Sequence, residues 1–148
     1  MNPSHLAYFH KIETLHEQMN TFTNNVKNEI SFYCQNNHFG GELSATLDDN
    51  GHLIVRMPSL WQEFISSQKF IISHQNGVYV RLNFHADDAH KLALDFLTNG
   101  KVNILNSALN YDGKTNYNLQ PVTFQYDYND EALIPAIIET LFQSATFD

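Results

Sequence analysis

The N-terminal part of the chain carries apolar residues at helical spacing. They lie three or four positions apart, close to a heptad repeat: Phe9, Ile12, Leu15, Met19, Phe22, Val26, Ile30 and Tyr33. This spacing predicts a helix over residues 4–34, with Ser4 as its N-cap. A helix of about thirty residues would extend roughly 45 Å, more than the width of a small domain. We therefore expect either a break at residues 21–25, which are weak helix formers, or a projecting helix that pairs with a partner or a second copy.

Beyond residue 41 the pattern changes to the alternation that is typical of β-strands. Apolar and polar residues alternate over residues 43–47, an Asp-Asn-Gly turn follows at 49–51, and a strand returns over 52–57. Residues 59–68 are ambiguous and also fit a short helix. The first strands therefore form a hairpin.

The clearest pair of strands covers residues 69–75 and 78–85, with Asn76-Gly77 as the turn between them. The second strand places two sets of side chains on opposite faces: Val78, Val80, Leu82 and Phe84 on one, and Tyr79, Arg81, Asn83 and His85 on the other. Such alternation indicates one buried face and one face that is at least partly in water.

The remaining pattern predicts two further helices and two further strands. Residues 87–99 fit a helix that begins at Asp87 or Asp88, because Ala89, Leu92, Ala93, Phe96 and Leu97 share one side of it. Strands are expected at 102–110 and 116–128, the latter at a sheet edge or bulged because it contains Pro121. The C-terminal helix, at residues 130–146, accommodates Pro135 only if the helix begins late.

Together these elements predict an α+β fold. The 148 residues suffice for a single domain, residues 1–148, with no linker or repeat visible in it. A helical segment occupies residues 1–35, the sheet residues 42–128, and the last helix residues 130–146. We expect a mostly antiparallel sheet of about six strands built from hairpins, with a long N-terminal helix, a middle helix and a C-terminal helix on one face.

Charge and cysteine content narrow the function classes. Sixteen acids against eight bases give a net charge of −8, which argues against binding to nucleic acid or to an anionic membrane surface. No apolar run approaches the roughly 18 residues that span a bilayer, and no signal peptide is visible. Cys34 is the only cysteine, so an intrachain disulfide is impossible. The expected location is the cytoplasm.

One cluster contains residue types that bind metals. His85, Asp87, Asp88 and His90 lie within six positions at a predicted strand-to-helix junction. The carboxylates have a ready alternative role as helix caps, and no metal-binding or nucleophile motif accompanies them. We therefore predict neither an enzyme nor a cofactor, and keep a small His/Asp-dependent metal enzyme as the second alternative.

The C-terminal quarter combines acids with tyrosines. From residue 112 onwards the chain has six acids and a single lysine, with tyrosines interleaved among the acids. Tyrosines suit protein recognition, and a concentrated negative field speeds association with a basic protein. The predicted binding residues are Asp112, Tyr117, Tyr126, Asp127, Tyr128, Asp130 and Glu131. The competing interpretation is a solvated edge strand whose acids cap the following helix.

The combined expectation is a small acidic inhibitor that neutralises a basic protein partner. Immunity proteins to toxins and phage-type inhibitors of nucleic-acid-acting defence enzymes work by such occlusion, although no motif in this chain points to either group. An escort chaperone for a secreted or assembled protein is the alternative. A homodimer through the N-terminal helix is also a prediction.

Overall fold

A computed structural model describes residues 3–36, 43–73, 77–86, 89–106 and 122–146. It contains two helices, seven strands and a short 3-10 turn at Pro58–Leu60. In chain order these are α1 (Pro3–Asn36), β1 (Ser44–Leu47), β2 (Leu53–Met57), β3 (Gln62–Ser73), β4 (Gly77–Ala86), β5 (Ala89–Leu97), β6 (Lys101–Asn106), β7 (Val122–Asp127) and α2 (Leu133–Thr146). The α+β class is confirmed, with seven strands in place of about six.

The seven strands form one antiparallel sheet in the order β1-β2-β3-β4-β5-β6-β7. Each strand pairs with its neighbour along the chain, as hairpin-connected strands require. The register sets apolar side chains side by side across the sheet: Phe70 lies opposite Val80, Val80 opposite Phe96, and Phe96 opposite Val102. The sheet therefore has one continuous apolar face, called the inner face below.

Both helices pack on this inner face. The buried residues of α1 are Met19, Thr23, Val26, Lys27, Ile30 and Cys34, and those of α2 include Leu133, Ile137 and Leu141. Phe64, Phe84 and Phe96 are the largest side chains that the sheet contributes to this core. Full burial of such side chains stabilises the fold by about 1.5–3 kcal/mol each.

The predicted middle helix over residues 87–99 is wrong. Residues 89–97 form β5, which pairs with β4 on one side and β6 on the other. Leu92, Leu94 and Phe96 point to the core at strand spacing. The same stretch also has apolar residues at helical spacing, so the local pattern fits both structures, and pairing with two neighbours decides for the strand.

The predicted break of the first helix at residues 21–25 is also wrong, since α1 is continuous. Phe22 packs edge-on against Phe96, with 5.0 Å between ring centroids. Thr23 is buried, and its hydroxyl donates to the Met19 carbonyl oxygen at 2.7 Å. Tertiary packing of these side chains therefore outweighs their weak helix propensity.

Two ambiguous stretches have definite structures. A helix over residues 59–68 is contradicted, because a short turn at Pro58–Leu60 leads directly into β3. The C-terminal helix begins at Leu133, which places Pro135 in its first turn, where the missing N–H costs no hydrogen bond. The predicted turn at residues 112–114 and the edge position of Pro121 lie outside the described residues.

Candidate functional site

Helix α1 extends beyond the inner face that it covers. The His16 ring contacts Phe70 edge-on at 4.7 Å, and no side chain of residues 4–18 is buried among the described residues. Within this segment, called the α1 extension, Leu6 is 49% exposed, Tyr8 55% and Phe9 52%. These three side chains lie within about one helical turn, so the exposed apolar surface is concentrated near the start of α1.

The apolar stripe of the α1 extension continues the stripe that faces the core. At about 100° per residue, Tyr8, Ile12 and Leu15 fall on the same side of the helix as the buried Val26 and Ile30. Ile12 and Leu15 are only partly buried. The apolar pattern therefore continues along the whole helix, and its burial decreases from the C-terminal part through Leu15 and Ile12 to Tyr8, which is 55% exposed.

The strand directions show which end of the sheet the extension leaves. In a meander, alternate connections lie at opposite ends, so the β3–β4 and β5–β6 turns share one end with the β7–α2 connection. Phe22, just after the extension, stacks edge-on against Tyr128 of that connection at 4.7 Å. We call this the helix end of the sheet. The last residue of β6, Asn106, and the first of β7, Val122, lie at the opposite end.

The predicted binding residues that the structure describes lie at or next to the helix end. Tyr128 is largely exposed on one side and packs against Phe22 on the other. Tyr126 points to the inner face and is partly buried against the core, so it is not a free recognition residue. Asp112 and Tyr117 lie outside the described residues.

The acids of this set have individual roles in the fold. Asp127 forms an ion pair with Lys101 across the β6–β7 pair. Asp130 shapes the turn that precedes α2, since its Oδ1 accepts the Ala132 backbone N–H at 2.9 Å and the helix begins at Leu133. Glu131 is exposed, and no ion pair involving it is present among the described residues. Both side chains are exposed, so the corner has an acidic surface.

Further acids lie on the α1 extension itself. Glu13 and Glu17 are exposed there, and Lys11 is the only lysine or arginine of residues 4–18. At about 100° per residue the two glutamates project from the side of the helix opposite the stripe. Together with Asp130 and Glu131 they give the helix end an acidic character. Such an arrangement favours a partner with apolar and positively charged side chains.

Two cavities flank the turn between β5 and β6. One, of about 280 Å³, lies between this turn and α1 and has Met19, Phe22 and Tyr128 in its walls. The other, of about 210 Å³, is on the outer face of the sheet and includes Tyr79, Asp95 and Asn103. Both lie at the helix end.

The outer cavity borders a cross-strand ion pair. The Arg81 Nε and Nη2 donate to the two Asp95 carboxylate oxygens at 2.7 and 2.8 Å. The hydrogen bonds to Asp95 raise the pKa of Arg81, although partial burial of the guanidinium opposes this. Asp95 is buried, so the pair satisfies a carboxylate that would otherwise be costly to bury. We interpret this pair as structural.

The histidine cluster does not form a described metal site. His85 and His90 are direct neighbours across the β4–β5 pair, whereas Asp87 and Asp88 lie outside the described residues. In the part of the chain that the structure describes, no group of three or more His, Cys, Asp or Glu residues could hold a metal ion. Cys34 is buried, and burial raises the pKa of its thiol to about 11, so the thiolate is scarce.

Trp61 is a surface feature that sequence reasoning missed. It lies in the ambiguous stretch 59–68, for which a short helix is one interpretation, but it follows the turn between β2 and β3 and is 93% exposed. Its φ of 54° places it in the left-handed region, the only such non-glycine among the described residues. No local pattern distinguished this tryptophan from a core residue.

Comparison of the chain with models of protein families, with curated proteins and with solved structures finds no match. Neither helix of the described residues has the length and apolar content needed to cross a bilayer.

Proposed function

We propose that this protein is a non-enzymatic binding protein of the cytoplasm that neutralises a basic protein partner by covering its functional surface. The observation that carries the proposal is the helix end, where the exposed acids of α1 and of the β7–α2 connection lie at the same end of the sheet as the half-exposed Tyr8 and Tyr128. Partners of this kind include toxins and nucleic-acid-acting enzymes, whose active surfaces are basic because they bind phosphates. Covering such a surface blocks the substrate without any chemistry by the inhibitor.

The charges support the proposal through association rate and specificity. A net charge of −8 attracts a basic partner over long distances, and the local acids fix its orientation. Tyr128 adds an exposed aromatic ring held in place by Phe22, which costs little side-chain entropy on binding. The apolar stripe then supplies the contact area that charge alone does not provide.

The test is affinity capture from the native host, or from cells expressing genomic neighbours, at low and high salt. The test variant is Asp130→Asn with Glu131→Lys, because the asparagine side-chain oxygen can accept the same hydrogen bond from the Ala132 N–H while the local charge rises by three. The control is Glu29→Gln with Glu139→Lys, which makes the same charge change at exposed positions elsewhere. We expect salt-sensitive capture of a basic protein that the test variant loses and the control retains. Equal capture by both variants would refute the acidic-surface mechanism.

The uncovered stripe also favours a second candidate, an escort chaperone. Such a protein binds exposed apolar segments of its client, so its complex should persist in high salt. A client retained at high salt by both the wild type and the Asp130→Asn, Glu131→Lys variant would support this function over the inhibitor.

A further inference from the structure

The two edges of the sheet differ in how they are protected. At the first edge, β1 has only four residues, α1 packs against it, and the Ser31 hydroxyl donates to the Ala45 carbonyl oxygen at 2.9 Å. Short strands and covering helices are common means of blocking an edge. The opposite edge is β7, which pairs with β6 over six consecutive residues without a register shift. It contains no lysine or proline, the residues that commonly disfavour pairing at an edge.

The backbone groups on the free side of β7 can be assigned from one hydrogen bond. The Tyr128 N–H donates to the Gly100 carbonyl oxygen at 2.9 Å, so it points to β6. Alternate residues of an antiparallel strand direct their backbone groups to the same side. The backbone N–H and C=O groups of Thr123, Gln125 and Asp127 therefore point away from β6.

Most of these outward-facing groups are unpaired. The Asp127 carbonyl oxygen accepts the Asp130 N–H at 3.0 Å. For the Asp127 N–H and for both backbone groups of Thr123 and Gln125, no partner lies within the part of the chain that the structure describes. Water or a further strand can satisfy such a row of groups, whereas a helix surface has no free backbone groups to offer. The occupant that fits this edge is thus an extended strand.

We propose that β7 pairs with β7 of a second copy of this chain, antiparallel and around a two-fold axis at Gln125. In this register Gln125 lies opposite Gln125, and the two residues exchange their backbone N–H and C=O groups. Asp127 of one copy lies opposite Thr123 of the other, so the Asp127 N–H meets the Thr123 carbonyl oxygen. The two sheets then join into one continuous sheet.

The aromatic side chains on the inner face match this register. Phe124 is 44% exposed, whereas Ile104, opposite it on β6, is fully buried. In the two-fold pair, Phe124 lies opposite Tyr126 of the other copy, at a position where the strands are not hydrogen-bonded and opposing side chains come closest. The symmetry repeats this contact, and aromatic cross-strand pairs stabilise sheets. A second copy therefore covers the ring that the sheet leaves exposed.

The charges favour this register over a shifted one. An axis at Asp127 would place two aspartates directly opposite each other, which destabilises a strand pair. With the axis at Gln125, the two Asp127 residues are instead offset along the strands by roughly 13 Å. This offset exceeds the Debye length of about 8 Å at physiological ionic strength, so their repulsion is largely screened. Each Asp127 also keeps its ion pair with Lys101.

The first test is the oligomeric state of the full chain, measured by sedimentation equilibrium over a concentration series. The test variant is Gln125→Pro, because proline lacks the N–H that faces outward and leaves the β6–β7 hydrogen bonds in place. The control is Gln125→Thr, which keeps that N–H. Both variants lose the hydrogen bond from Gln125 Nε2 to Asn103 Oδ1 at 2.8 Å, so this loss cannot explain a difference between them.

We expect a wild-type dimer that dissociates on dilution, because the paired strands are short. Gln125→Thr should have a similar Kd, and Gln125→Pro at least a tenfold higher one, since the symmetry removes two hydrogen bonds at once. A wild type that remains monomeric throughout the series would overturn the inference. So would a dimer that Gln125→Pro leaves intact, because the contact would then involve another surface, such as the α1 extension.

A cysteine cross-link tests the register without proline. In a Cys34→Ala background, Gln125→Cys places the two thiols opposite each other, within the Cα separation of about 4.4–6.8 Å that a disulfide requires. Asp127→Cys is the control, because its two copies would be roughly 13 Å apart. We expect mild oxidation to give a covalent dimer from Gln125→Cys only. Equal yields from the two variants, or none from either, would contradict the register.

The strand pairing does not depend on the proposed function. Sedimentation and cross-linking of the purified chain require no other protein, whereas the inhibitor function is tested by capture of a basic partner from the host. Either can therefore fail while the other stands. Circular dichroism of each variant verifies that the fold is retained.

Discussion

The two parts of α1 carry the same stripe in different surroundings. From Met19 to Cys34 the stripe is buried by the sheet and α2, and every turn contributes to the core. In the α1 extension the stripe continues, but Tyr8 is half exposed, and Ile12 and Leu15 are only partly buried. An amphipathic pattern therefore indicates that a helix face needs a partner, and it does not indicate whether that partner is in the same chain.

The buried C-terminal part of α1 stabilises the helical conformation of the α1 extension. A free helix of about 15 residues is marginal in water, because the first turn is costly to nucleate. In α1 the packed C-terminal part supplies that nucleus. Each residue of the extension therefore only lengthens an existing helix and does not bear the cost of nucleation. The fold thus keeps the extension helical while its apolar side chains remain partly in water.

The largest test of this comparison uses matched isoleucines. Ile30 is fully buried and Ile12 lies on the same helix face in the extension. Ile30→Ala should lower the free energy of unfolding by about 2–5 kcal/mol, because it leaves a cavity in the core. Ile12→Ala should lower it by less than about 1 kcal/mol. Urea unfolding followed by circular dichroism measures both, and similar losses would show that the extension is packed as tightly as the core part.

A thiol probe gives the next largest contrast. Burial raises the pKa of Cys34 from 9.0 to about 11, so at pH 8 its thiolate is about 100-fold scarcer than that of an ordinary cysteine. A cysteine placed by Ala7→Cys in a Cys34→Ala background lies on the exposed extension and should react with a disulfide reagent at least 100-fold faster than Cys34 in the wild type. Comparable rates would mean that the packed part of α1 opens readily.

The lysines of α1 allow a pH test. Buried Lys27 donates from Nζ to the Gly51 carbonyl oxygen at 2.8 Å and to Gln68 Oε1 at 2.9 Å. Lys27→Met removes both bonds and should cost about 1 kcal/mol at neutral pH, whereas Lys11→Met in the extension should cost nothing measurable. Burial lowers the pKa of Lys27 below 10.5, although the charge of Asp48 opposes this.

The sign of the pH effect follows from that shift. As pH rises towards 10.5, the unfolded chain binds more protons at this lysine than the folded chain, so the wild type gains stability from this group. The stability difference between the wild type and Lys27→Met should therefore widen from pH 7 to pH 10 in urea titrations. A difference that narrows would contradict the depressed pKa.

The smallest effect is expected at Trp61, where the backbone is left-handed and the side chain makes little contact. Trp61→Gly should raise the free energy of unfolding by about 0.5–1 kcal/mol, because glycine adopts positive φ without a Cβ clash. Trp61→Ala, which keeps the clash, should show no gain. Thermal melts of the two variants separate these outcomes, and equal melting temperatures would exclude strain at this turn.

The sequence predicts the parts of the fold in which local pattern and tertiary environment agree. The 43–47 alternation, the 49–51 turn and the late start of α2 at Leu133 belong to this class. Prediction from sequence fails for β5, because the apolar residues of 89–97 fit both the helical and the strand period, and only pairing with β4 and β6 decides between the two structures. It fails again at residues 21–25, because propensity cannot show that Phe22 will pack between Phe96 and Tyr128.

The candidate site follows the same rule. The sequence alone shows that acids and tyrosines are concentrated in the C-terminal quarter. It does not show the ion pair of Asp127 with Lys101, which depends on strand register, or the hydrogen bond of Asp130 with the Ala132 N–H, which depends on where α2 begins. The sequence predicts that the first helix is longer than a small domain is wide, so that part of it could project. Only the order and direction of the strands show that the N-terminal end is the part that projects.

The order of elements also has a consequence for synthesis. Helix α1 leaves the ribosome first, yet the strands and α2 that cover its packed part come later in the chain. At roughly 5–20 residues per second, several seconds pass before β4 and β5 are available. During that time the apolar side chains of the whole helix, including those that the sheet later buries, are exposed on the nascent chain. Ribosome-associated chaperones can therefore contact this helix before the sheet covers it.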